Sequence, residues 1–134
     1  FHVNGLFFGI EVLKVQEVLR YLDMTKVPLA PTVIEGLMNL RGQIVTGVDM
    51  RRRLGLPLRP ADHIPMNMVV RSEEGVVSLL VDEIGDVIDV PPERHERVPD
   101  NLPKEHRELI DGVCKLDGSL LLVLNLERVL QTQA

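Results

Sequence analysis

The sequence predicts an all-β fold with short helices, and three observations lead to that prediction. The apolar runs are short and are bounded by turn signals such as Asn4-Gly5 and Asp117-Gly118, a rhythm typical of strands and hairpins. The core must be aliphatic, because aromatic residues make up only 3% of the 134 residues. A hairpin-plus-helix unit at Gly36–Leu54 also recurs at Gly112–Leu130.

The first half of the chain contains five predicted strands. The Asn4-Gly5 pair suits a tight type I′ hairpin turn. Val27–Pro31 carries two prolines and is predicted to be a linker. We expect a short helical turn to begin at Pro31-Thr32 and to end near Gly36. The predicted strands are Phe1–Val3, Leu6–Ile10, Val15–Tyr21, Leu37–Leu40 and Gln43–Val48.

The second half repeats this rhythm with two longer connections. Leu56–Pro65 is a Pro-rich connector, and Pro91–Glu108 is predicted to be a long charged loop with one helical turn. Hairpin turns are expected at Glu73-Glu74-Gly75 and at Asp117-Gly118. The predicted strands are Met66–Arg71, Val76–Val81, Ile84–Val90, Gly112–Leu116 and Ser119–Leu124.

The repeated unit is the most informative feature of the chain. A shift of 76 positions places Asp49 on Asn125, so the two predicted helices, one to Leu54 and one to Gln131, each begin with a capping residue. Strands this short must curl into closed barrels to avoid bare edges. Five identities support the shift: Gly36, Leu40, Gly42, Arg52 and Leu54 fall on Gly112, Leu116, Gly118, Arg128 and Leu130. At a shift of 69, Val15, Glu17 and Val18 fall on Ile84, Asp86 and Val87.

Composition narrows the choice of partners and compartment. The formal charge of −5 and the few aromatic residues argue against a nucleic-acid partner. Cys114 is the only cysteine, which suits a reducing compartment, and no apolar run reaches the length of a membrane span. We therefore expect a cytoplasmic protein with no direct membrane insertion. The chain starts at Phe1 rather than Met, which leaves open that upstream residues have been omitted.

No group of residues indicates catalysis or a cofactor. The four histidines have no zinc-ligand spacing, and we expect them to be exposed in loops. Two acidic clusters, within Asp82–Asp89 and Glu93–Asp100, are predicted to be solvated rather than to perform acid–base chemistry. The nucleophile elbow, the phosphate loop and the dinucleotide-binding fingerprint are all missing from the sequence. The sequence therefore predicts a binding module that uses no cofactor or metal.

Two sets of charges lack an obvious structural purpose. Arg51-Arg52-Arg53 is either a solvated helix surface or a docking site for an acidic partner. Arg41 lies in a predicted turn where the second repeat has Asp117, and Glu17 lies in the Val-rich segment Val15–Val18. Each is either a lone surface charge or a charge that is paired or faces a functional groove.

A set of short motifs extends over nearly the whole chain. The most specific is Asn39-Leu40-Arg41-Gly42, followed by Ile44-Val45, Val48-Asp49 and an Arg-rich helix that ends in Leu-Gly. The others are Phe8-Gly9-Ile10-Glu11, Val15-Gln16-Glu17-Val18, Pro28, Leu80-Val81-Asp82, Val87 and Leu122–Glu127. In these motifs the chain resembles the CheW family of chemotaxis coupling proteins.

The resemblance implies two pseudo-symmetric SH3-like five-stranded β-barrels, packed side by side as intertwined subdomains of one domain over residues 1–134. It implies a non-catalytic adaptor that joins the cytoplasmic tip of methyl-accepting chemoreceptors to the regulatory domain of the histidine kinase CheA. It also implies an ion pair between Glu17 and Arg41, and a second kinase contact in the loop from Arg97 to Leu102. The implied receptor-binding groove between the barrels comprises Val15, Glu17, Gly36, Asn39 and Arg41.

The sequence departs from the family at Thr46-Gly47, where relatives usually carry Pro-Val, and at Met50, where they usually carry Leu. A glycine in mid-strand indicates a bulge or a close approach. Three alternatives stay open. The chain could be a CheW-like domain of a larger protein of the CheV or CheA type. It could be a barrel that binds nucleic acid through Arg51–Arg53, or a hydrolase that uses the carboxylates of Asp82–Asp89.

Overall fold

The computed structural model describes residues 1–73 and 75–131, and these form two five-stranded sheets and three short helices. We call the sheet with the order β1-β2-β10-β9-β8 the terminal sheet and the sheet with the order β3-β6-β7-β5-β4 the central sheet. The strands are β1 His2–Val3, β2 Leu6–Gly9, β3 Val15–Arg20, β4 Ile34–Leu40, β5 Gln43–Asp49, β6 Met66–Ser72, β7 Gly75–Val81, β8 His95–Glu96, β9 Ile110–Leu116 and β10 Ser119–Leu124.

Each helix is a single turn, and two of them begin at a predicted cap. The helices are α1 Met50–Arg53, α2 Lys104–Arg107 and α3 Leu126–Val129. The Asp49 carboxylate accepts a 3.0 Å hydrogen bond from the Arg51 backbone N–H, and the Asn125 side chain accepts one of 3.1 Å from the Arg128 backbone N–H. Both predicted caps are confirmed, although the helices end earlier than predicted.

The internal repeat is confirmed by the order and direction of the strands. The β4–β5 hairpin leads into α1, and the β9–β10 hairpin leads into α3. β5 then pairs in parallel with β7, and β10 pairs in parallel with β2. The series β4-β5-β7-β6 in the central sheet therefore corresponds to β9-β10-β2-β1 in the terminal sheet.

The main core combines aliphatic side chains from both sheets. Val48 and Leu79 of the central sheet belong to the same buried cluster as Phe8 and Leu122 of the terminal sheet. A second cluster, formed by Met38, Leu40, Val45 and Val69, belongs to the central sheet alone. Full burial of each such side chain contributes about 1.5–3 kcal/mol. The clusters therefore hold the two sheets together and keep the central sheet curled.

The central sheet closes on itself through two contacts rather than a continuous ladder. Its edge strands are β3 and β4. Thr25, which follows β3, exchanges two backbone hydrogen bonds of 2.8 Å with Leu37 of β4. Arg41, in the turn after β4, pairs with Glu17 of β3. The predicted SH3-like architecture of two five-stranded units is confirmed, but neither sheet is a closed barrel.

Three predicted elements are wrong. Residues 84–90 form no strand, because within the described part of the chain only the preceding residue, Glu83, bridges β1, through His2. Gly36 lies within β4 and does not end a helical turn. The loop predicted after Pro91 contains β8, which pairs with β9. Residue 74, in the turn predicted between β6 and β7, lies outside the described residues.

The repeated glycines Gly36 and Gly112 have the same structural purpose. A Cβ at Gly36 would lie 2.6 Å from the Thr25 carbonyl oxygen, and one at Gly112 would lie 2.9 Å from the Glu96 carbonyl oxygen. In each sheet, a neighbouring segment crosses the hairpin at a distance that only glycine permits. At Gly47 a Cβ would lie 2.5 Å from the Met24 sulfur, so of the two alternatives for that glycine, a bulge or a close approach, the structure shows the close approach.

We expect Gly36→Ala to lower the free energy of unfolding by about 2–3 kcal/mol, because the added methyl forces the Thr25 crossing away from β4. Urea denaturation followed by circular dichroism measures the change. Gly85→Ala is the matched control, since a Cβ there meets only Phe7, at 3.9 Å, and should change stability by less than about 0.5 kcal/mol. Equal stability of the two variants would contradict the crossing.

Candidate functional site

The most distinctive surface feature is a bidentate ion pair between β3 and the β4–β5 turn. The Arg41 guanidinium donates two 2.7 Å hydrogen bonds, one to each carboxylate oxygen of Glu17. Two parallel bonds fix the mutual orientation of the planar groups. The predicted pairing of these two charges is confirmed. The Arg41 side chain is 71% exposed and that of Glu17 is 24% exposed, so a partner can reach the pair.

Local sequence places both members of the pair. Glu17 faces the same way as Val69, its partner on β6, beyond an irregularity in the β3–β6 register. Arg41 and Gly42 both have positive φ, 52° and 87°, as a type I′ turn requires. The Asn39 side chain accepts a 2.8 Å hydrogen bond from the Gly42 backbone N–H and so holds the turn in shape.

The left-handed backbone of Arg41 is unfavourable for a side chain of this kind. In the corresponding turn of the second repeat, only Gly118 has positive φ and Asp117 does not. The turn chemistry of the repeat therefore does not require Arg41. Its hydrogen bonds to Glu17 lower the pKa of that carboxyl and keep the pair ionised at neutral pH.

Two exposed apolar side chains lie on β3 and β5, and the sequence did not single them out. Ile44, which pairs with Asn39 across the β4–β5 ladder, is 63% exposed, because Val45 points inward and Ile44 must then point outward. Val18 on β3 is 40% exposed, but it points to the opposite face of the strand from Glu17. The apolar surface next to the turn that carries Arg41 is therefore that of Ile44.

Val15 lies at the start of β3, beside an apolar cleft of about 330 Å³. The segment from Ile84 to Val90 lines one side of the cleft, and Val87 and Ile88 in that segment are exposed. Its wall on the central sheet includes Val15 and Val18. Val15 therefore contributes apolar surface on the same strand as Glu17.

The remaining predicted site residues lie elsewhere. Gly36 is buried beneath Thr25, so its evident structural purpose is the strand crossing. Arg97 is exposed in the loop between β8 and α2 and makes no polar contact among the described residues. Leu102, in the same loop, packs half-buried against the main core. The structure brings Glu17, Asn39 and Arg41 together, and Val15 lies on the same strand as Glu17. Arg97 and Leu102 lie apart from them, in the loop that follows β8 of the terminal sheet.

Two of the three arginines in Arg51–Arg53 are not part of a solvated surface, which corrects the sequence interpretation for Arg51 and Arg53. Arg52 is exposed and donates a 3.0 Å hydrogen bond to the Thr32 backbone oxygen. The Arg51 side chain is buried and donates to Asp82, with a shortest bond of 2.6 Å. Arg53 donates to the backbone oxygens of Val129, Arg128 and Gln131 at the end of α3. The Arg51 side chain neutralises the buried Asp82, and the Arg53 side chain caps the end of α3. These two arginines are therefore not available to bind phosphate or an acidic partner.

Asp82 is buried and ionised, which corrects the expectation of a solvated carboxylate. Burial by itself raises the pKa of Asp82. Hydrogen bonds from the Arg51 side chain, the Asn4 backbone N–H and the Arg59 side chain outweigh it, and the pKa falls to about 2. A carboxylate held by two guanidinium groups cannot act as a general acid at neutral pH.

His106 is also buried, whereas exposed histidines were predicted. Its Nε2 lies 3.0 Å from the Leu54 backbone oxygen at the end of α1, so α2 of one repeat supports α1 of the other. Within residues 1–73 and 75–131, no group of three or more potential ligands is arranged to hold a metal ion. In the same described segments, no helix is both long and apolar enough to cross a membrane.

Comparisons with known proteins agree with this architecture. The family model of the CheW-like domain matches residues 1–134. The chain is 29% identical to the chemotaxis protein CheW of Bacillus subtilis (strain 168), over 100% of this chain and 86% of that protein. It is also 29% identical to CheW of Klebsiella aerogenes, over 94% of this chain and 76% of that protein.

A solved structure with the same fold is the scaffolding protein TtCheW from Thermoanaerobacter tengcongensis. It superposes with a TM-score of 0.88 at 25% identity, over 98% of this chain and 90% of that chain. The chain belongs to the CheW-like domain family. The family and its members support the predicted class of chemotaxis coupling scaffold, and none of the comparisons favours the nucleic-acid-binding or hydrolase alternatives.

We expect Asp82→Asn to lower the free energy of unfolding by about 3–5 kcal/mol at pH 7, because it leaves the buried Arg51 without the carboxylate that it contacts. Arg59 loses one of its two carboxylate partners and keeps Asp49, at 3.6 Å. In the native protein the folded pKa lies below the unfolded one. The contribution of Asp82 is therefore complete above about pH 4 and is lost as the pH falls through about 2.

Urea denaturation at a series of pH values tests this expectation. The Asp82→Asn protein should lose part of the acid dependence seen in the native protein. Asp89→Asn is the control, since Asp89 is exposed and has no polar contact among the described residues. If Asp82→Asn and Asp89→Asn changed the free energy of unfolding equally, Asp82 would not be the buried counter-charge.

Proposed function

We propose that this chain is a non-catalytic adaptor that couples chemoreceptors to the regulatory domain of the histidine kinase CheA. The observation that carries the proposal is the exposed Glu17–Arg41 pair, which the fold alone does not require, on a chain that belongs to the CheW-like family. The active unit is residues 1–134, acting as one domain with no cofactor.

The receptor-binding surface in this proposal is centred on the ion pair. Arg41 and Glu17 supply a fixed charged pair, and Ile44 supplies exposed aliphatic surface next to the turn. The opposite face of β3 carries Val15 and Val18 beside the apolar cleft. Such a surface suits a helical hairpin that presents an apolar stripe with polar edges, as a receptor tip would. Asn39 contributes by holding the turn, and Gly36 contributes by holding β4 beneath Thr25.

The kinase-binding surface in this proposal is the loop from Arg97 to Leu102 on the other sheet. Arg97 offers a cation that has no polar partner among the described residues, and Leu102 anchors the loop on the main core. Two surfaces on different sheets allow the receptor and the kinase domain to bind at the same time. Each contact is expected to be weak alone and to gain strength from multivalency.

Receptor binding should depend on the charge of Arg41. Arg41→Glu places two carboxylates together, and we expect about a tenfold loss of affinity for a receptor cytoplasmic tip. Combining it with Glu17→Arg restores the pair in reverse and should partly restore affinity. Isothermal titration calorimetry with the purified tip measures both effects.

The control is Arg41→Asn, because Asn suits the positive φ of this turn and removes the cation without adding repulsion. Its binding should fall between those of the native and Arg41→Glu proteins. Circular dichroism should show that all three variants are folded. Unchanged receptor affinity in a folded Arg41→Glu protein would remove this surface from the proposal.

Kinase binding should depend on Arg97 and not on Arg41. We expect Arg97→Glu to weaken binding of the kinase regulatory domain about tenfold and to leave receptor-tip affinity unchanged. Arg107→Glu is the control, since Arg107 is an exposed arginine on α2 outside the loop. Equal losses in the two variants would indicate a general charge effect instead of a specific contact.

A further inference from the structure

The strand β3 changes its register against β6 partway along its length, and this change determines the direction in which Glu17 points. Val15 lies opposite Val70 in the ladder. Two residues further along β3, Glu17 lies opposite Val69, which is only one residue from Val70 on β6. Gln16 is therefore one extra residue on β3, a β-bulge. In a continuous ladder Gln16 would lie opposite Val69, and Glu17 would point to the other face of the sheet.

The bulge turns the two parts of β3 toward different cores. Val15, before the bulge, packs against the main core, whereas Leu19, after the bulge, packs against the second cluster. Glu17 shares the face of Leu19, because residues two apart on a strand point the same way. On that face the Glu17 carboxylate reaches the Arg41 guanidinium. The bulge is therefore the feature of β3 that aims the carboxylate at its partner.

The hydrophobic pattern of β3 does not select this register. Val18 and Leu19 are adjacent and both apolar, so a slip by one residue would place Val18 in the second cluster instead of Leu19. The slip would also remove the bulge and place Glu17 opposite Met68. Val18 now holds that position and is 40% exposed there, so a carboxylate would remain in contact with water. Since the pattern accepts both registers, another contact must hold β3 in place.

A buried pair of polar side chains supplies such a contact. Asn67 on β6 and Ser78 on β7 are both fully buried. The Ser78 hydroxyl donates a 2.6 Å hydrogen bond to the Asn67 Oδ1, and this fixes the orientation of the amide. The Asn67 Nδ2 then donates a 3.0 Å hydrogen bond to the Arg20 backbone oxygen at the end of β3. A slip by one residue would move this oxygen about 3.3 Å along the strand and would break the bond.

We propose that Asn67 is a positioning residue, whose buried amide holds β3 in the bulged register and so keeps Glu17 on the face of Arg41. The amide lies opposite Leu19, on the face of the second cluster, where an aliphatic side chain would be easier to bury. A polar group retained in such a place can specify register at a cost in stability. The consequence for receptor binding rests on the proposed function, whereas the register of β3 does not.

Titration of the Glu17 carboxyl, followed by NMR, reports whether the pair with Arg41 is formed. In the native chain the hydrogen bonds from Arg41 lower the pKa of this carboxyl. Asn67→Leu keeps the approximate size of the side chain and removes the amide, so the slipped register should become populated. We expect the Glu17 carboxyl to titrate at higher pH, toward its ordinary range. Its cross-strand nuclear Overhauser contacts should move from Val69 toward Met68.

Val69→Ala is the matched control, because Val69 lies on the same strand and the same face as Asn67. Its truncation leaves a cavity in the second cluster without touching the amide. This variant should have a lower melting temperature and the same Glu17 titration as the native chain. Equal shifts of the Glu17 titration in Val69→Ala and Asn67→Leu would indicate a general loosening of the core and would overturn the proposal.

Ser78→Ala is a milder second variant, and it is decisive if Asn67→Leu does not fold. Loss of the hydroxyl frees the Asn67 amide to turn away from the Arg20 oxygen. The Glu17 titration should therefore shift in the same direction as in Asn67→Leu, by a smaller amount. A native titration in every folded variant of the Asn67–Ser78 pair would overturn the proposal.

Removal of the bulge should compensate for loss of the amide. Deletion of Gln16 makes β3 a continuous ladder in which Glu17 still lies opposite Val69, so β3 no longer has a bulge that a slip could relieve. Combined with Asn67→Leu, the deletion should return the Glu17 titration to its native position, apart from the small contribution that Gln16 itself makes to the pKa. A titration that stays shifted would show that the amide does not act through the register and would overturn the proposal.

Receptor binding separates this inference from the proposed function. Asn67→Leu should bind a purified receptor cytoplasmic tip about three- to tenfold more weakly than the native chain, and deletion of Gln16 should restore the affinity. Isothermal titration calorimetry measures both effects. A shifted Glu17 titration with unchanged receptor affinity would support the positioning of Glu17 by Asn67 and would remove the ion pair from the proposed receptor-binding surface.

Discussion

The structure depends on one repeated constraint, which is the close crossing of a backbone carbonyl over a glycine in each sheet. The Thr25 oxygen lies 2.6 Å from where a Cβ of Gly36 would be, and the Glu96 oxygen lies 2.9 Å from where a Cβ of Gly112 would be. Each crossing brings an edge segment against its hairpin, and this curls the sheet and shapes the loop that follows. Each curled sheet turns one face toward the core that the two sheets share. The packing of the sheets and the positions of the loops after the crossings therefore depend on these two close approaches.

Charge is divided between the interior and the surface in a way that composition does not reveal. Arg51 and Asp82 are buried and satisfied by each other, and Arg53 caps the end of α3. Such cations are structural, because a buried charge without its partner would cost several kcal/mol. Arg41 and Glu17 make equally short bonds in an exposed position, where an ion pair contributes little to stability. Their geometry is therefore better explained by recognition than by folding.

The ion pair was expected from the resemblance to the CheW family, whereas the interior charges were misjudged from the residues alone. Local turn chemistry places Arg41 in the Asn39–Gly42 turn, but Glu17 is 24 positions away, so the pairing itself does not follow from nearby residues. Asp82 is 31 positions from Arg51, and His106 is 52 positions from Leu54. Nothing near either residue in the chain indicates its partner. The strand predicted at 84–90 was wrong because a strand needs a partner, and only Glu83 meets one, at His2.

By itself, the sequence determined the strand rhythm, the aliphatic core, both capped helices and the repeat that relates the two halves. These features depend on side-chain periodicity, turn chemistry and spacing, which are properties of short segments. Only the tertiary structure decided which charges are buried, why Gly36 and Gly112 must be glycine, and that Leu29 is left fully exposed on a strained backbone. These features depend on contacts between distant segments, and the chain makes such contacts only when the two sheets curl and pack together.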